Sequence, residues 1–351
     1  MCRYVRTVAH RQPTCIVAVP LGHTLHMSFD VQRESTSLAD QLRTALASGD
    51  AAALESLSAG TPADRRDRLT TLLHIYDLHT APLDRVGTAA RWQHHSAIAA
   101  LKFRCESEWL ADLDKLPVEG GDDPVQALRA LAARDRLPTA YRWLAREAEW
   151  SQVVDFLALE GGPDAGFDDL VALCQVGLDG AAKLELATNY WDEMGNGRLD
   201  AVHTNLHDQL VRAIDLPAVS VDQLPVSALA RTALGGLLAT NRWLQPEFLG
   251  ALGLIELQAG PRCRLVVQAL ERCQAPAEAF PFYEIHADVD PRHGKDWLEN
   301  AIAPIVKERP EWGPRIVRGA IWRSAVNADF LADVAYRLDV PECDDVTSAA
   351  A

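Results

Sequence analysis

Apolar residues recur at intervals of three and four along most of the chain, which is the period of a helix with one buried face. Strand signals are almost absent, and the only β-branched run of note covers residues 15–19. We find no repeat of fixed period, which argues against a solenoid. We therefore predict an all-α bundle with helices at residues 37–48, 50–58, 62–79, 89–116, 124–134, 138–159, 166–174, 181–194 and 198–214, two within 223–259, and then 261–272, 281–307 and 310–338.

Glycine and proline residues mark the ends of several predicted helices. Thr61 is expected to cap the helix at 62–79, with Pro62 in its first turn, where a proline costs no hydrogen bond. Short linkers throughout leave no boundary inside residues 85–340. The chain is therefore divided into a disordered extension at 1–36, with Met27 as an alternative start, a helical preface at 37–84, one domain at 85–340 and a frayed tail at 341–351.

The composition of the chain argues against some classes of function. The chain has 351 residues, of which 48% are hydrophobic, so it can bury a substantial core. Its net charge of -15 argues against nucleic-acid binding, which requires a positive field. No apolar run approaches the roughly 20 residues that span a bilayer, so no membrane association is expected. The 7 cysteines form no C-x-x-C pair, which favours a reducing cytoplasm and buried, inert thiols.

The segment at residues 286–293 carries the strongest chemical signal. His286, Asp290 and His293 are spaced i, i+4 and i+7, so on a helix they lie within roughly 60° of one another. Phe282 and Tyr283 lie one turn earlier and could form an apolar wall. Pro291 falls between two of the three polar residues, where a proline kinks or breaks a helix.

A second partial motif, residues 192–203, precedes the first. Glu193 lies near the end of a predicted helix, shares a face with Tyr190, and is followed by a glycine-rich bend and then by His203. Asp192 is a competing carboxylate, but it should point about 100° away from Glu193. Trp191, like the aromatic residues beside His286, argues for burial of the motifs. Surface ion pairs would be the ordinary interpretation of either motif alone.

Two such motifs on separate helices favour a metal site, because helical bundles build these sites from inward-facing carboxylates and imidazoles. A di-iron site combines carboxylates, which stabilise Fe(III), with imidazoles, which suit Fe(II). The remaining histidines, His207 and the pair His94 and His95, have no comparable partners. We interpret them as surface groups or as groups behind the ligands.

At these residues the chain resembles the haem-oxygenase-like di-iron oxidases and oxygenases, also described as iron-containing redox enzymes. The resemblance covers roughly residues 65–335 and rests on Asp-Glu-x-Gly-x-Gly-x5-His, at 192–203, followed by His-x3-Asp-x2-His. It implies a bundle of about seven core helices that holds two Fe(II) ions, with dioxygen as co-substrate. The family also has a glutamate on an earlier helix, a role that falls by context on Glu160, with Asp155 and Asp168 as competitors. The implied metal ligands are therefore Glu160, Glu193, His203, His286, Asp290 and His293.

The resemblance implies a non-haem di-iron, dioxygen-dependent oxidoreductase that acts on a small organic substrate. N-oxygenation, oxidative decarboxylation and C–C cleavage are its reaction types, with no catalytic residues expected beyond the metal ligands. The substrate-pocket candidates are Tyr190, Phe282 and Tyr283. The sequence leaves open whether the protein uses an electron donor and whether it forms a homodimer.

Three alternatives accompany this interpretation. The first is a thiaminase-like hydrolase, for which Cys174 would be the nucleophile nearest the motifs. The second is a metal-free helical bundle that binds a partner, and the third is a haem protein with His203 or His286 as axial ligand. Arg315, Arg318 and Arg323 on the last predicted helix are interpreted as solvated surface residues rather than as substrate-binding groups.

Overall fold

The computed structural model describes residues 37–117, 123–160 and 166–341. The extension predicted at 1–36 lies outside these residues, as does all of the predicted tail after residue 341. The described residues are mostly helical and contain no strand, which confirms the predicted all-α class. The α-helices are α1 (Leu38–Ser48), α2 (Ala51–Leu57), α3 (Arg65–Thr80), α4 (Leu83–Val86), α5 (Ser96–Leu113), α6 (Pro124–Arg134), α7 (Thr139–Arg146), α8 (Trp150–Glu160), α9 (Phe167–Cys174), α10 (Gly180–Glu193), α11 (His203–Ala213), α12 (Val226–Ala239), α13 (Gln245–Arg272), α14 (Pro281–Asp296), α15 (Ala303–Glu308) and α16 (Gly313–Arg337).

Several predicted boundaries were wrong for identifiable reasons. Helix α3 begins after Asp64, whose carboxylate accepts a hydrogen bond from the Asp67 backbone N–H, so Asp64 rather than Thr61 is the cap. The helix predicted at 89–116 begins only at Ser96, after a 3₁₀ turn. The helix predicted at 138–159 divides into α7 and α8, and Arg272 from α13 donates to backbone carbonyls at the end of α7.

Two prolines lie inside long helices without ending them. Helix α13 continues through Pro261, and α14 continues through Pro291, so of the two effects expected at Pro291, a kink or a break, the break does not occur. Pro291 cannot donate to the carbonyl of Ala287, four residues earlier. The Arg264 guanidinium of α13 donates to that carbonyl instead, at 2.7 Å. A side chain of the neighbouring helix thus restores the hydrogen bond that Pro291 removes. A π-helical segment, Trp297–Ile302, then joins α14 to α15.

Helix α13 lies at the centre of the described fold and packs along both α14 and α16. Glycines permit these close crossings. A Cβ atom at Gly294 of α14 would lie 2.9 Å from the Leu257 Cα, and one at Gly319 of α16 would lie 1.9 Å from the Glu247 carbonyl oxygen. The backbones of α14 and α16 can therefore approach α13 more closely than larger residues would allow.

The buried apolar side chains form two clusters. The larger cluster joins α1–α3, α5, α12, α13 and α16, and the fully buried Trp297 and Trp322 belong to it. The smaller cluster joins α7, α8, α11, α13 and α16 and includes Tyr141 and Tyr283. Within the described residues, no helix combines the length and apolar character needed to cross a membrane.

Candidate metal centre

The bend after α10 brings the two halves of the Glu193–His203 motif together. Gly195, Asn196 and Gly197 all have positive φ angles, of 59°, 54° and 82°. A Cβ atom at Gly195 would lie 2.4 Å from the Ala201 carbonyl carbon, so only glycine fits there. The chain reverses direction, and the Glu193 Oε2 atom lies 2.7 Å from the His203 Nδ1 atom. This turn is the physical reason for the glycine spacing of the motif.

The unbroken α14 presents His286 to the same point. The His286 Nδ1 atom lies 2.6 Å from the Phe282 carbonyl oxygen, which can only accept, so Nδ1 carries the proton and donates. The Nε2 lone pair is then available as a ligand. The His286 ring lies 4.5 Å from the His203 ring, measured between centroids. Ligand atoms of Glu193, His203 and His286 all lie within 4.8 Å of one another and form the first cluster.

A second cluster contains a residue that the sequence interpretation missed. Glu256 of α13 is buried, and its carboxylate joins Glu193 and His293, with ligand atoms within 4.8 Å of one another. The Asn189 side-chain amide holds Glu256 by donating to its Oε1 atom at 2.7 Å. The sequence carried one signal, because Glu256 is the only charged residue between Glu247 and Arg262. Glu193 is common to both clusters.

His293 is oriented by a carboxylate outside both clusters. Its Nε2 atom lies 2.9 Å from the Asp192 Oδ2 atom, and its Nδ1 atom faces Glu256 at 3.6 Å. Burial favours neutral His293, but the carboxylates of Glu256 and Asp192 outweigh burial and raise the pKa of His293 to about 9. The exposed Arg292 also pairs with Asp192. Asp192 therefore fixes which nitrogen of His293 faces the second cluster.

Asp290 lies beside the second cluster without joining it. Its Oδ1 atom is 3.8 Å from the His293 Nδ1 atom, and its Oδ2 atom is buried without a hydrogen bond among the described residues. Burial, together with the nearby Glu256 and Glu193 carboxylates, raises the pKa of Asp290 well above its usual value. A cation placed among these acids would remove that penalty.

Glu160 lies farther from the clusters than the resemblance implied. It is held by two hydroxyl groups, since Tyr141 donates to its Oε1 atom at 2.5 Å and Tyr283 to its Oε2 atom at 3.3 Å. It belongs to neither cluster, although it lines the same cavity as Glu193, which is common to both. In this arrangement Glu160 is a carboxylate of the cavity wall.

One cavity of about 120 Å³ is lined by Glu193, His203, His286 and Glu256 of the clusters, and Phe282 and Tyr283 also line it. Tyr190, the third pocket candidate, instead packs against the larger apolar cluster. Trp191 is 53% exposed, so its expected burial was wrong. His207 is buried and lines the cavity, so of its two interpretations, a surface group or a group behind the ligands, the first was wrong.

The donor set fits iron. Three imidazoles and several carboxylates meet in a buried space, and neither cluster contains a cysteine, which a structural zinc site would more often use. The His203 and His293 Nδ1 atoms are buried without hydrogen bonds, although a carboxylate oxygen lies near each. Such an arrangement is typical of ligands that face a common cation. Burial would raise the pKa of Glu193, but His203, His286 and His293 hold it below its ordinary value.

Comparison with known families agrees with this donor set. Residues 154–328 match the model of the family described as iron-containing redox enzymes. These residues belong to the iron-containing redox enzyme family. The matched span is shorter than the resemblance at 65–335, but it contains all six proposed ligands and Glu256.

A solved structure has a fold similar to that of this chain. The chain is similar to a crystal structure of a CADD-like protein of unknown function from Nostoc punctiforme PCC 73102, with 19% identity and a TM-score of 0.50. That likeness covers 62% of this chain and 97% of the other. A second crystal structure of a protein of the same description and organism gives 19% identity, a TM-score of 0.47, and coverage of 63% and 96%. No curated protein matches the chain.

Proposed function

We propose that the chain is a non-haem di-iron, dioxygen-dependent oxidase or oxygenase acting on a small organic substrate. The observation that carries this proposal is the pair of buried clusters that share Glu193, one with His203 and His286 and the other with Glu256 and His293. A carboxylate common to two ligand groups suits two adjacent cations. Membership of the iron-containing redox enzyme family supports iron as the metal.

The protein's part in this chemistry is to hold the ligands and the substrate in a dry space. When bound, iron would supply the electrons that reduce dioxygen. Glu193, His203 and His286 would hold one ion, and Glu193, Glu256 and His293 the other. Asp192 and the Phe282 carbonyl fix the tautomers of two of these histidines. Two further carboxylates are available: that of Asp290 lies beside the second cluster, and that of Glu160 lies on the cavity wall.

The first test is iron stoichiometry after anaerobic reconstitution with Fe(II). The wild-type chain is expected to bind two iron ions, one at each cluster. Glu193→Gln should lose both ions, whereas His286→Ala and Glu256→Gln should each lose one. Asp200→Asn is a matched control, because Asp200 is an exposed acid near the motif and should keep full loading.

Two results would contradict the proposal. One is the absence of specific iron uptake by the wild-type chain, and the other is full loading in the Glu193→Gln variant. Reaction with dioxygen is then followed optically, and N-oxygenation, oxidative decarboxylation and C–C cleavage are the reactions to screen with small organic substrates. A Soret band in the purified protein would instead support haem binding.

The structure gives less support to the thiaminase-like alternative. Cys174 is fully buried, lies outside the lining of the cavity, and has a pKa raised by that burial. A thiol in this environment is a poor nucleophile, because the reactive form is the thiolate. Cys263 does line the cavity, but burial and the nearby Asp290 and Glu160 carboxylates raise its pKa as well.

A further inference from the structure

The cavity that Glu193, His203, His286 and Glu256 line, the metal cavity, is also lined by an acid outside both clusters. This acid is Asp168, which lies in the first turn of α9 and is half-buried. Within the part of the chain that the structure describes, no lysine, arginine or histidine forms an ion pair with Asp168. The carboxylate of Asp168 is therefore available to a ligand in the metal cavity.

The surroundings of Asp168 make its negative charge costly. Partial burial raises the pKa of the Asp168 carboxyl above its ordinary value, and the neighbouring Asp169 and Glu193 carboxylates raise this pKa further. Glu193 would be neutralised by bound metal, because it is common to both clusters, whereas Asp168 is a member of neither. A cationic ligand group beside Asp168 would remove the remaining cost, because a nearby positive charge favours the ionised carboxylate.

An acid in the first turn of a helix also has an ordinary explanation. The positive end of the helix dipole stabilises such acids, and Asp168 and Asp169 both lie in this turn of α9. The two residues differ in position, because Asp169 is exposed and does not line the metal cavity. The helix dipole acts on both acids alike, so it does not account for the one that lines the metal cavity.

A second polar group in the same lining lacks a partner. His207 is 6% exposed, and its Nε2 atom is buried without a hydrogen bond to any described residue. Native proteins rarely leave a buried polar atom unsatisfied, because this costs free energy. Since His207 belongs to neither cluster, its expected partner is a ligand in the metal cavity. Burial lowers the pKa of His207 and so favours the neutral imidazole, one nitrogen of which accepts hydrogen bonds.

A primary ammonium group matches the chemistry of these side chains. It carries a positive charge and three N–H donors, whereas an ionised carboxylate can only accept hydrogen bonds. Thr204 precedes His207 by three residues on α11 and also lines the metal cavity, and its hydroxyl can accept as well. The carboxylate of an acidic ligand would instead be repelled by Asp168.

Arg231 of α12 is a cation of the same lining, but it does not make the surroundings of Asp168 positive. The Arg231 guanidinium donates to the Glu160 carbonyl oxygen at 3.4 Å and packs over the Phe330 ring. The neighbouring charges that act most on Asp168 are carboxylates and not the charge of Arg231. The part of the metal cavity beside Asp168 is therefore negative.

We propose that Asp168 binds the ammonium group of a small primary amine in the metal cavity. The assignment of this amine as the substrate rests on the proposed function. An apolar protein cavity of about 150 Å³ binds benzene, so a cavity of about 120 Å³ suits a short amine.

The test uses n-butylamine as the probe, which is cationic at neutral pH, with n-butanol and butyrate as neutral and anionic analogues of similar length. Affinities are measured by calorimetric titration of the full-length chain loaded anaerobically with iron. Asp168→Asn should weaken n-butylamine binding by roughly fivefold to tenfold, because it removes a charge-assisted hydrogen bond that is partly exposed to solvent. Binding of n-butanol should not change, and butyrate should bind more tightly because a repulsion is removed.

Asp169→Asn is the matched control, because Asp169 lies in the same turn of α9 but outside the lining of the metal cavity. This variant should leave the affinities for all three probes unchanged. An equal loss of n-butylamine affinity in both variants would overturn the proposal, because the loss would then reflect the general charge of α9. Unchanged n-butylamine affinity in Asp168→Asn would also overturn it.

Iron counting separates this proposal from the proposed function. Asp168→Asn should keep the wild-type iron content, because Asp168 belongs to neither cluster. Loss of iron from this variant would make Asp168 a metal ligand and would overturn the amine site. If the wild-type chain takes up no iron, the proposed function fails, but the effect of Asp168→Asn on n-butylamine binding by the metal-free chain still tests the amine site.

A measurement on the wild-type chain covers the case in which Asp168→Asn does not fold. The full-length chain is loaded with diamagnetic Zn(II), which can occupy the same ligands. Added n-butylamine should shift the ¹⁵N resonance of His207 Nε2, because His207 and Asp168 line the same cavity. The same concentration of n-butanol should shift it less. No shift with saturating n-butylamine would overturn the amine site.

Discussion

Glu247 and Glu256 are both buried on α13, about 13 Å apart along the helix axis, yet their surroundings differ in kind. Glu247 accepts two hydrogen bonds of 2.8 Å from Arg315 and is also paired with Arg318. Glu256 instead faces His293 and Asn189, and the nearby acids are Glu193 and Asp290. The Glu247 carboxylate is neutralised by two arginines, whereas the Glu256 carboxylate faces one histidine and lies among further acids.

Packing does not explain the difference between the two glutamates. A helix crosses α13 beside each of them at a glycine, with Gly319 close to the Glu247 carbonyl and Gly294 close to the Glu256 carbonyl. The side chains brought by the crossing helices differ, since α16 brings arginines and α14 brings His293. We infer that the Glu247 region serves stability and the Glu256 region serves binding.

The largest expected effect is loss of stability in Glu247→Gln. Removing the carboxylate leaves two partly buried arginines without their shared partner, so the free energy of unfolding should fall by about 3 kcal/mol. Urea denaturation measures this change. Iron content should stay at the wild-type value, and the exposed Glu278→Gln should show neither effect. A stability loss below the error of the measurement would contradict the structural role of Glu247.

The matching change at the other glutamate should have a much smaller effect. Glu256→Gln removes one of several crowded acids but also a carboxylate that faces His293, so the stability of the metal-free protein should change little. Fe(II) at 100 times its dissociation constant should stabilise the wild-type protein by about 2.7 kcal/mol per site. The variant should gain less from iron in thermal denaturation under anaerobic conditions. Equal gains in both proteins would exclude Glu256 as a ligand.

A third change tests the close crossing of α13 and α14. In Gly294→Ala the new methyl group would lie 2.9 Å from the Leu257 Cα and 3.0 Å from the Glu256 carbonyl oxygen. We expect a loss of about 1–3 kcal/mol in unfolding free energy together with reduced iron content. Gly313→Ala is the control, because its methyl group meets Pro124 at a similar 2.8 Å, away from both clusters. If both variants lose iron equally, general destabilisation explains the loss.

The smallest effect concerns the hydrogen bond that keeps α14 continuous. Arg264→Ala leaves the Ala287 carbonyl without its donor and should cost about 1 kcal/mol. In Pro291→Ala the backbone N–H of residue 291 can donate to that carbonyl, so Arg264→Ala should cost less in this background. A double-mutant cycle measured by urea denaturation gives the coupling. Additive effects of the two changes would contradict the compensation between Arg264 and Pro291.

The sequence determined the all-α fold and the segments that carry most of the site. Helical periodicity depends on residues three and four apart, so it is visible without knowledge of distant contacts. The Glu193–His203 and His286–His293 motifs are short, and the structure places Glu193, His203 and His286 in one cluster and His293 in another that shares Glu193. Predicted helix ends were less accurate, because Arg272 and Asp64 act through contacts that periodicity does not report.

Only the tertiary structure decided which distant residues complete the site. Glu256 reaches Glu193 and His293 because α10, α13 and α14 meet. In the sequence Glu256 stands alone in an apolar segment, and that pattern does not indicate which residues it contacts. Arg315 and Arg318, interpreted as solvated, pair with buried Glu247, and Arg323 is itself buried. Glu160 is held by Tyr141 and Tyr283 outside both clusters. These relations depend on how helices far apart in the chain cross, and those crossings are fixed by packing across the whole core rather than by local pattern.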